Sequence, residues 1–208
     1  MSLNIDKKYA DFEAVNARFN DDLQRHIDGT LPINHIYKLG YPGDILLSAG
    51  VESLPMELSA ARLSLKSSKD YHSCHPFDIS AIKNLPIAVN KPIAVFSDTH
   101  ISDGRIILTE LVYNTDNFVV AVRKRKDKIH RKIEVETNSI RTIYPKNQLH
   151  GIMGWFNSKE NFLRWVDKEK ALRFISIQSP SRIADGNKGR AINNAINKIN
   201  NFQNPFYP

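Results

Sequence analysis

His75, Glu110 and the trio Asn138, Thr142 and Tyr144 are the residues of this 208-residue chain whose types suit proton transfer and anion binding. An imidazole titrates near neutrality, so His75, in a polar stretch ahead of a helix start at Asp78, is the candidate base or acid. A histidine that only satisfies loop carbonyls would read the same. Glu110 falls inside the apolar run Ile106-Ile107-Leu108-Thr109-Glu110-Leu111, where an unpaired buried carboxylate is costly. It is therefore either partnered, with His75 as the natural choice, or turned to solvent. On a strand, Asn138, Thr142 and Tyr144 share parity and are expected on one face, where amide, hydroxyl and phenol beside Lys146 suit a phosphate. Ordinary hydrogen-bonded sheet residues give the same pattern. Ser97, Lys69 and Arg141 are weaker candidates for the same role.

Other chemistries lack support. His72-x-Cys74-His75 contains good zinc ligands, yet near-adjacent residues do not readily reach one ion and no second ligand pair follows, so no metal is expected. The single cysteine excludes an internal disulfide and a four-cysteine site. There is no Gly-x-Gly-x-x-Gly, no phosphate-binding loop and no His-Glu-x-x-His, and no cofactor is expected. Charge is more telling. Lys plus Arg number 29 against 22 Asp plus Glu, a net +7, and seven of those cations lie between Arg123 and Lys132 against the single acid Asp127. Arg123, Arg125 and Arg131 are accordingly candidate contacts to a nucleic-acid backbone, although a solvated ribbon or a dock for an acidic protein fits the same composition.

The elements that must position these groups follow from periodicity. At 41% hydrophobic residues the chain can bury one core, and no apolar run approaches the roughly 20 residues that cross a bilayer. The first residues lack a secretion-signal pattern, and the expected place of action is the cytosol, whether the protein is made or delivered there. Helices are expected over residues 6–26, over 44–49 as a short turn, from Asp78 to a stop at Pro86, over 149–156 and over 158–171. Residues 58–65 read equally as strand or helix. Residues 93–96, 105–112, 118–125 and 129–137 are rich in β-branched types between short polar turns, as antiparallel strands are, with 140–144 and 173–177 as further strands. The basic run would then straddle a hairpin with Lys126-Asp127 near its tip. Asparagine-rich residues 191–202 repeat as a terminal helix. The expected class is α+β: N-terminal helices, a mostly antiparallel meander of about four to six strands, and C-terminal helices packed on it.

Several segments, taken in order, resemble the phage MuF C-terminal domain family. They are His75 with Asp78, Ile79, Ile82 and Asn84-Leu85-Pro86; Lys91-Pro92-Ile93-Ala94-Val95-Phe96-Ser97; Leu108-Thr109-Glu110-Leu111; Val119-Val120-Ala121-Val122; Asn138-Ser139-Ile140-Arg141-Thr142-Ile143-Tyr144; and residues 162–178. Thr142 stands where that family usually has serine, and Pro145 where glycine is common. The resemblance divides the chain into an N-terminal helical extension over residues 1–38, the α+β domain over 39–180 and a C-terminal helix over 181–208. It also implies kinship with the small α+β ribonucleases of the barnase, EndoU and RelE-like group, hence metal-independent cleavage of RNA by a toxin-like effector of a phage or mobile element. On that reading His75, Glu110, Thr142 and Tyr144 are catalytic, while Asn138, Lys146, Ser97, Arg123, Arg125 and Arg131 hold substrate. RNA is the implied partner, together with an immunity or antitoxin protein. The alternative is a non-catalytic module that binds nucleic acid or protein.

Overall fold

Consecutive buried apolar residues, rather than alternating ones, characterise the central strands: Val95 and Phe96, Ile107 and Leu108, and Val119 and Val120 are all essentially inaccessible. Strands of this kind belong to a sheet covered on both faces. A computed structural model, which describes residues 12–68, 75–129, 133–146, 149–158, 162–178 and 186–205, shows this arrangement. In chain order the elements are α1 (Phe12–Ile27), β1 (Ile36–Lys38), α2 (Asp44–Ser48), β2 (Met56–Ser59), α3 (Ala60–Ser67), a 3-10 turn (Ile79–Ile82) and α4 (Leu85–Asn90). There follow β3 (Ala94–Ser97), β4 (Arg105–Tyr113), β5 (Asp116–Ile129), β6 (Ile133–Pro145), α5 (Leu149–Asn157), β7 (Leu163–Val166), α6 (Lys168–Gln178) and α7 (Gly186–Asn201).

The sheet has seven strands in the order β1-β2-β6-β5-β4-β3-β7, antiparallel throughout except where β2 runs parallel to β6. On one face, Phe19 and Leu23 of α1, Leu46 of α2, Leu63 of α3, and Leu85 and Val89 of α4 pack against Val95, Ile107, Val120 and Ile143. On the other, Ile152, Met153 and Phe156 of α5, Phe174 and Ile175 of α6, and Ile192, Ala195 and Ile199 of α7 cover Ala94, Phe96, Leu108 and Val119. The fold is α+β, with N-terminal helices, a mostly antiparallel sheet and C-terminal helices, as the sequence implies.

Two local devices position the elements around the site. Asn84 enters α4 with φ 65, a left-handed conformation that asparagine tolerates. Asn16 and Asn20 of α1 both donate to its Oδ1, at 2.7 and 2.8 Å, so the first helix clamps the Asn84-Leu85-Pro86 motif. At the sheet edge, the Asn204 side chain accepts from Val166 N and donates to Val166 O, supplying β7 with the pairing of a missing neighbour.

Several local expectations are corrected. Pro86 opens α4 instead of ending a helix, which suits a residue with no N–H to lose in the first turn. The undecided 58–65 segment is the end of a strand and then a helix, hinged at Ser59, whose Oγ caps α3. Residues 163–166 form strand β7, not helix, and residues 173–177 lie within helix α6, not in a strand. In α6, Ala171, Phe174 and Ile175 are buried at helical spacing, and this packing outweighs the β-branched character of the segment. The hairpin strands continue through Ile129 and resume at Ile133, so Lys126 and Asp127 lie within a strand and not at a tip.

Candidate functional site

The imidazole of His75 stacks on the phenol ring of Tyr144, with centroids 5.2 Å apart and an interplanar angle of 23°. Both partners are fixed from beneath. Two residues after His75, the buried Phe77 seats its ring edge-on against Phe118 at 5.0 Å, which anchors residues 75–78 ahead of the 3-10 turn. Tyr144 is paired with Val119 near the end of β6, and Lys146 N donates to Asn117 O, extending the ladder past Pro145. Asn117 in turn donates to Thr109 O, and Thr109 Oγ1 to Phe118 O, which locks the irregular stretch of the β4-β5 pair.

Lys146 completes this corner. Its Nζ lies 5.8 Å from the Tyr144 ring centre and 4.8 Å from that of Trp155 on α5, within cation-π range of both. Burial holds the Lys146 ammonium below the usual lysine range and pushes the Tyr144 phenol above its own. An imidazole, a phenol and a partly desolvated cation thus meet on two aromatic surfaces. Such a group can move a proton and stabilise a negative charge at one place. Trp155, which its helical setting suggests is simple core, also packs at 5.5 Å on Phe96; no sequence signal marked it as a seat for a cation.

The expected row of three side chains does not form. Ala121 faces Thr142 while the next residue, Val122, faces Ile140, so Arg141 is an extra residue in β6. A bulge of this kind reverses side-chain parity. Ile140 and Ile143, three apart, consequently share one core face, and Asn138 lies on their side of the sheet while Thr142 and Tyr144 lie on the other. Asn138 is buried, and its Nδ2 donates to Glu52 O at 2.7 Å and Leu54 O at 3.0 Å, fixing the turn before β2. Glu110 is not joined to His75 by any hydrogen bond, ion pair or ring contact among the described residues. Its two carboxylate oxygens meet Lys170 and Arg173 of α6, each at 2.7 Å. Ser97 accepts from Arg164 Nε at 2.7 Å at the far end of β3.

The basic run forms the outer part of the β5-β6 ribbon, and the returning strand changes its balance. Lys126 faces Glu136 and Lys128 faces Glu134 in the ladder, so residues 123–136 carry seven basic and three acidic side chains, a net +4. Lys124 Nζ contacts Glu52 at 2.8 Å and Glu136 at 3.0 Å, and these carboxylates hold its ammonium above the usual range. Arg123 is half-buried at the root of the ribbon and Arg125 is exposed farther out. Arg131, Lys69, His72 and Cys74 lie outside the described residues, among which no group of three or more His, Cys, Asp or Glu is placed to hold a metal. No helix among them is long and apolar enough to cross a membrane.

A family model for the phage MuF C-terminal domain matches residues 66–173, from the end of α3 into α6. The chain belongs to the phage MuF C-terminal domain family. The MuF C-terminal match takes in His75, the β3-to-β6 meander, β7 and the Lys146 corner, while α1, β1, β2 and α7 lie outside it. No curated protein and no solved structure matches the chain.

Proposed function

We propose that this phage-related protein is a metal-independent ribonuclease, a toxin-like effector that cleaves RNA by transesterification at the His75 corner. The observation that supports it is the stack of His75 on Tyr144 with Lys146 over the same ring. In the proposed reaction His75 takes the proton of an RNA 2′-hydroxyl. The 2′ oxygen then attacks the adjacent phosphorus, and the bond from phosphorus to the 5′ oxygen breaks. Lys146, its ammonium proton loosened by burial, stands against the charged phosphorane and gives a proton to the leaving 5′ oxygen. Tyr144 holds the imidazole ring, and Thr142, on the same face of β6, offers a hydroxyl to the phosphate. Arg123 and Arg125 guide the strand toward the corner from the ribbon.

The test is incubation of the purified protein with RNA in excess EDTA, with the ends of the fragments identified. The proposal expects 2′,3′-cyclic phosphates, and no cleavage of RNA whose 2′ oxygens are methylated. Fragments ending in 3′-hydroxyls would contradict transesterification, and intact RNA at every sequence tested would favour the non-catalytic binding module.

A further inference from the structure

The face of the sheet that carries Thr142 and Tyr144 is not covered alike along its width. Over β7, β3, β4 and the start of β5 it lies under α5, α6 and α7, whereas no residue of β1 or β2 belongs to that core. Tyr37, Met56 and Leu58 point into the core under the N-terminal helices, so alternation puts Ile36, Glu57 and Ser59 on the open face. Val122 and Ile140 point into the same core. The facing pair Arg123 and Ser139 is therefore on the open face too, and so is Arg125, two residues further along β5.

A groove of about 560 Å³ lies on this face, bordered by Ala61, Arg62, Leu65 and Lys66 of α3 and by Arg125 and Ser139. Arg62 and Lys66 are four residues apart and so are neighbours on one side of the helix. The β6 bulge sets the first of them, because Arg62 Nη1 donates to Arg141 O at 3.1 Å. Glu57 is the one acid among the lining residues, and Lys38 is ion-paired with it. Three cations thus border a groove whose single carboxylate is already neutralised, and the complement of such a surface is a polyanion. Leu65, 51% exposed, leaves apolar surface between them that a sugar ring can cover.

The groove leads to the His75 corner. α3 starts beside the bulge and ends at Ser67, whose carbonyl accepts from Phe77 N at 3.3 Å, two residues past His75. Along β5, Arg125 is six positions from Val119, the partner of Tyr144, which is about 20 Å at strand rise. At about 3.4 Å per stacked nucleotide that distance takes about six nucleotides. We infer that the groove binds the sugar-phosphate backbone of RNA about six nucleotides from the His75 corner, so that long strands are held and short ones are not. The inference rests on the proposed RNA cleavage for the identity of the strand, and it adds Arg62 and Lys66 to the residues that hold it.

The test is fluorescence anisotropy with labelled, fully 2′-O-methylated oligouridylates of three and twelve nucleotides. The proteins are the parent, His75→Gln, two groove variants, Arg62→Gln/Lys66→Gln and Lys66→Gln/Arg125→Gln, and Arg18→Gln/Lys83→Gln, a control that removes two exposed cations outside the groove. The parent, His75→Gln and the control are expected to bind the longer RNA at least about tenfold more tightly than the shorter. Both groove variants should lose that advantage while binding the shorter RNA like the parent, and their salt slope for the longer RNA should flatten by about 1.4, the share of two phosphates on a single strand. Lys66→Gln/Arg125→Gln keeps the Arg62 contact to the bulge, so a folding defect in the other variant does not decide the outcome. Equal affinity for the two lengths, parent-like binding by both groove variants, or an equal loss in the control overturns the inference. A twelve-residue polyglutamate that binds the parent and not the groove variants, while the two RNAs bind alike, would give the groove to an acidic protein segment instead. Cleavage fails separately: a length effect on RNA that is never cut would overturn the ribonuclease reading and leave the groove standing as a backbone site.

Discussion

The His75 corner and the basic ribbon are both built on β5 and β6, and they use charge in opposite ways. The ribbon carries the densest run of cations in the sequence, but its ladder returns acids opposite them, and Lys124 and Lys126 end in contact with Glu136. The corner contributes one lysine to any charge count. That lysine is desolvated between two aromatic rings, beside an imidazole stacked on one of them. Cation density along a chain describes composition, whereas strand register decides which cations are left for a ligand. In the proposed reaction, then, the ribbon is a guide of modest strength and the corner is where the chemistry would take place.

The largest expected effect is at His75. His75→Ala and His75→Gln should each lower cleavage by about 10² to 10⁴, the usual contribution of a positioned acid or base, with Tm and RNA affinity near those of the parent. Parent-like cleavage by both would make His75 structural and break the comparison. The next concerns Asn138, whose donors are spent on a buried turn. Asn138→Ala should cost about 1–3 kcal/mol in denaturant unfolding, because the Glu52 and Leu54 carbonyls lose their partner. If RNA affinity fell instead while stability held, Asn138 would belong with the substrate contacts.

A second histidine sharpens the reading of the first. His26 on α1 meets Tyr37 Oη at 2.6 Å through Nδ1 and Ser64 Oγ at 2.8 Å through Nε2, and burial, then the nearby His35, holds its pKa below the ordinary imidazole value. The unfolded chain therefore binds the proton more readily. The stability linked to His26 is fully present above about pH 6.5 and declines as pH falls below it. Thermal unfolding across pH 5 to 8 should show this arm, and His26→Gln should flatten it. An unchanged profile would assign the acid sensitivity elsewhere. The smallest effect is expected at Glu110, a partly exposed carboxylate between two cations. Glu110→Gln should cost less than about 1 kcal/mol of stability. A rate loss on the scale of the His75 variants would restore Glu110 to the catalytic group.

Much of the architecture was legible because burial left plain traces: paired apolar residues in β3, β4 and β5, and the 3.6-residue stripe of α7. The errors have local causes. Residues 162–172 place Phe162, Trp165, Val166 and Leu172 at roughly helical intervals, although β7 buries Val166 in one core and packs Trp165 against the other. Three of the residues singled out, His75, Tyr144 and Lys146, do come together, while the geometry expected at Asn138 does not form. Alternation was applied across Arg141, and nothing in Ser139-Ile140-Arg141-Thr142 signals an extra residue. Glu110 was matched to His75 or to solvent because its partners, Lys170 and Arg173, are about 60 residues away, on a segment read partly as strand.

The most direct test of the division between corner and ribbon follows one RNA through both a rate and an affinity. Single-turnover cleavage of that RNA, and equilibrium binding of its 2′-O-methylated form, would be measured for the parent, His75→Gln and the Arg123→Gln/Arg125→Gln double variant. The account predicts that His75→Gln loses at least about a hundredfold in rate and keeps its affinity. The double variant should lose affinity, with a flatter dependence on salt, and its rate should fall only as far as its occupancy does. Full-rate cleavage by His75→Gln, together with a double variant that binds RNA like the parent yet no longer cleaves it, would contradict the account.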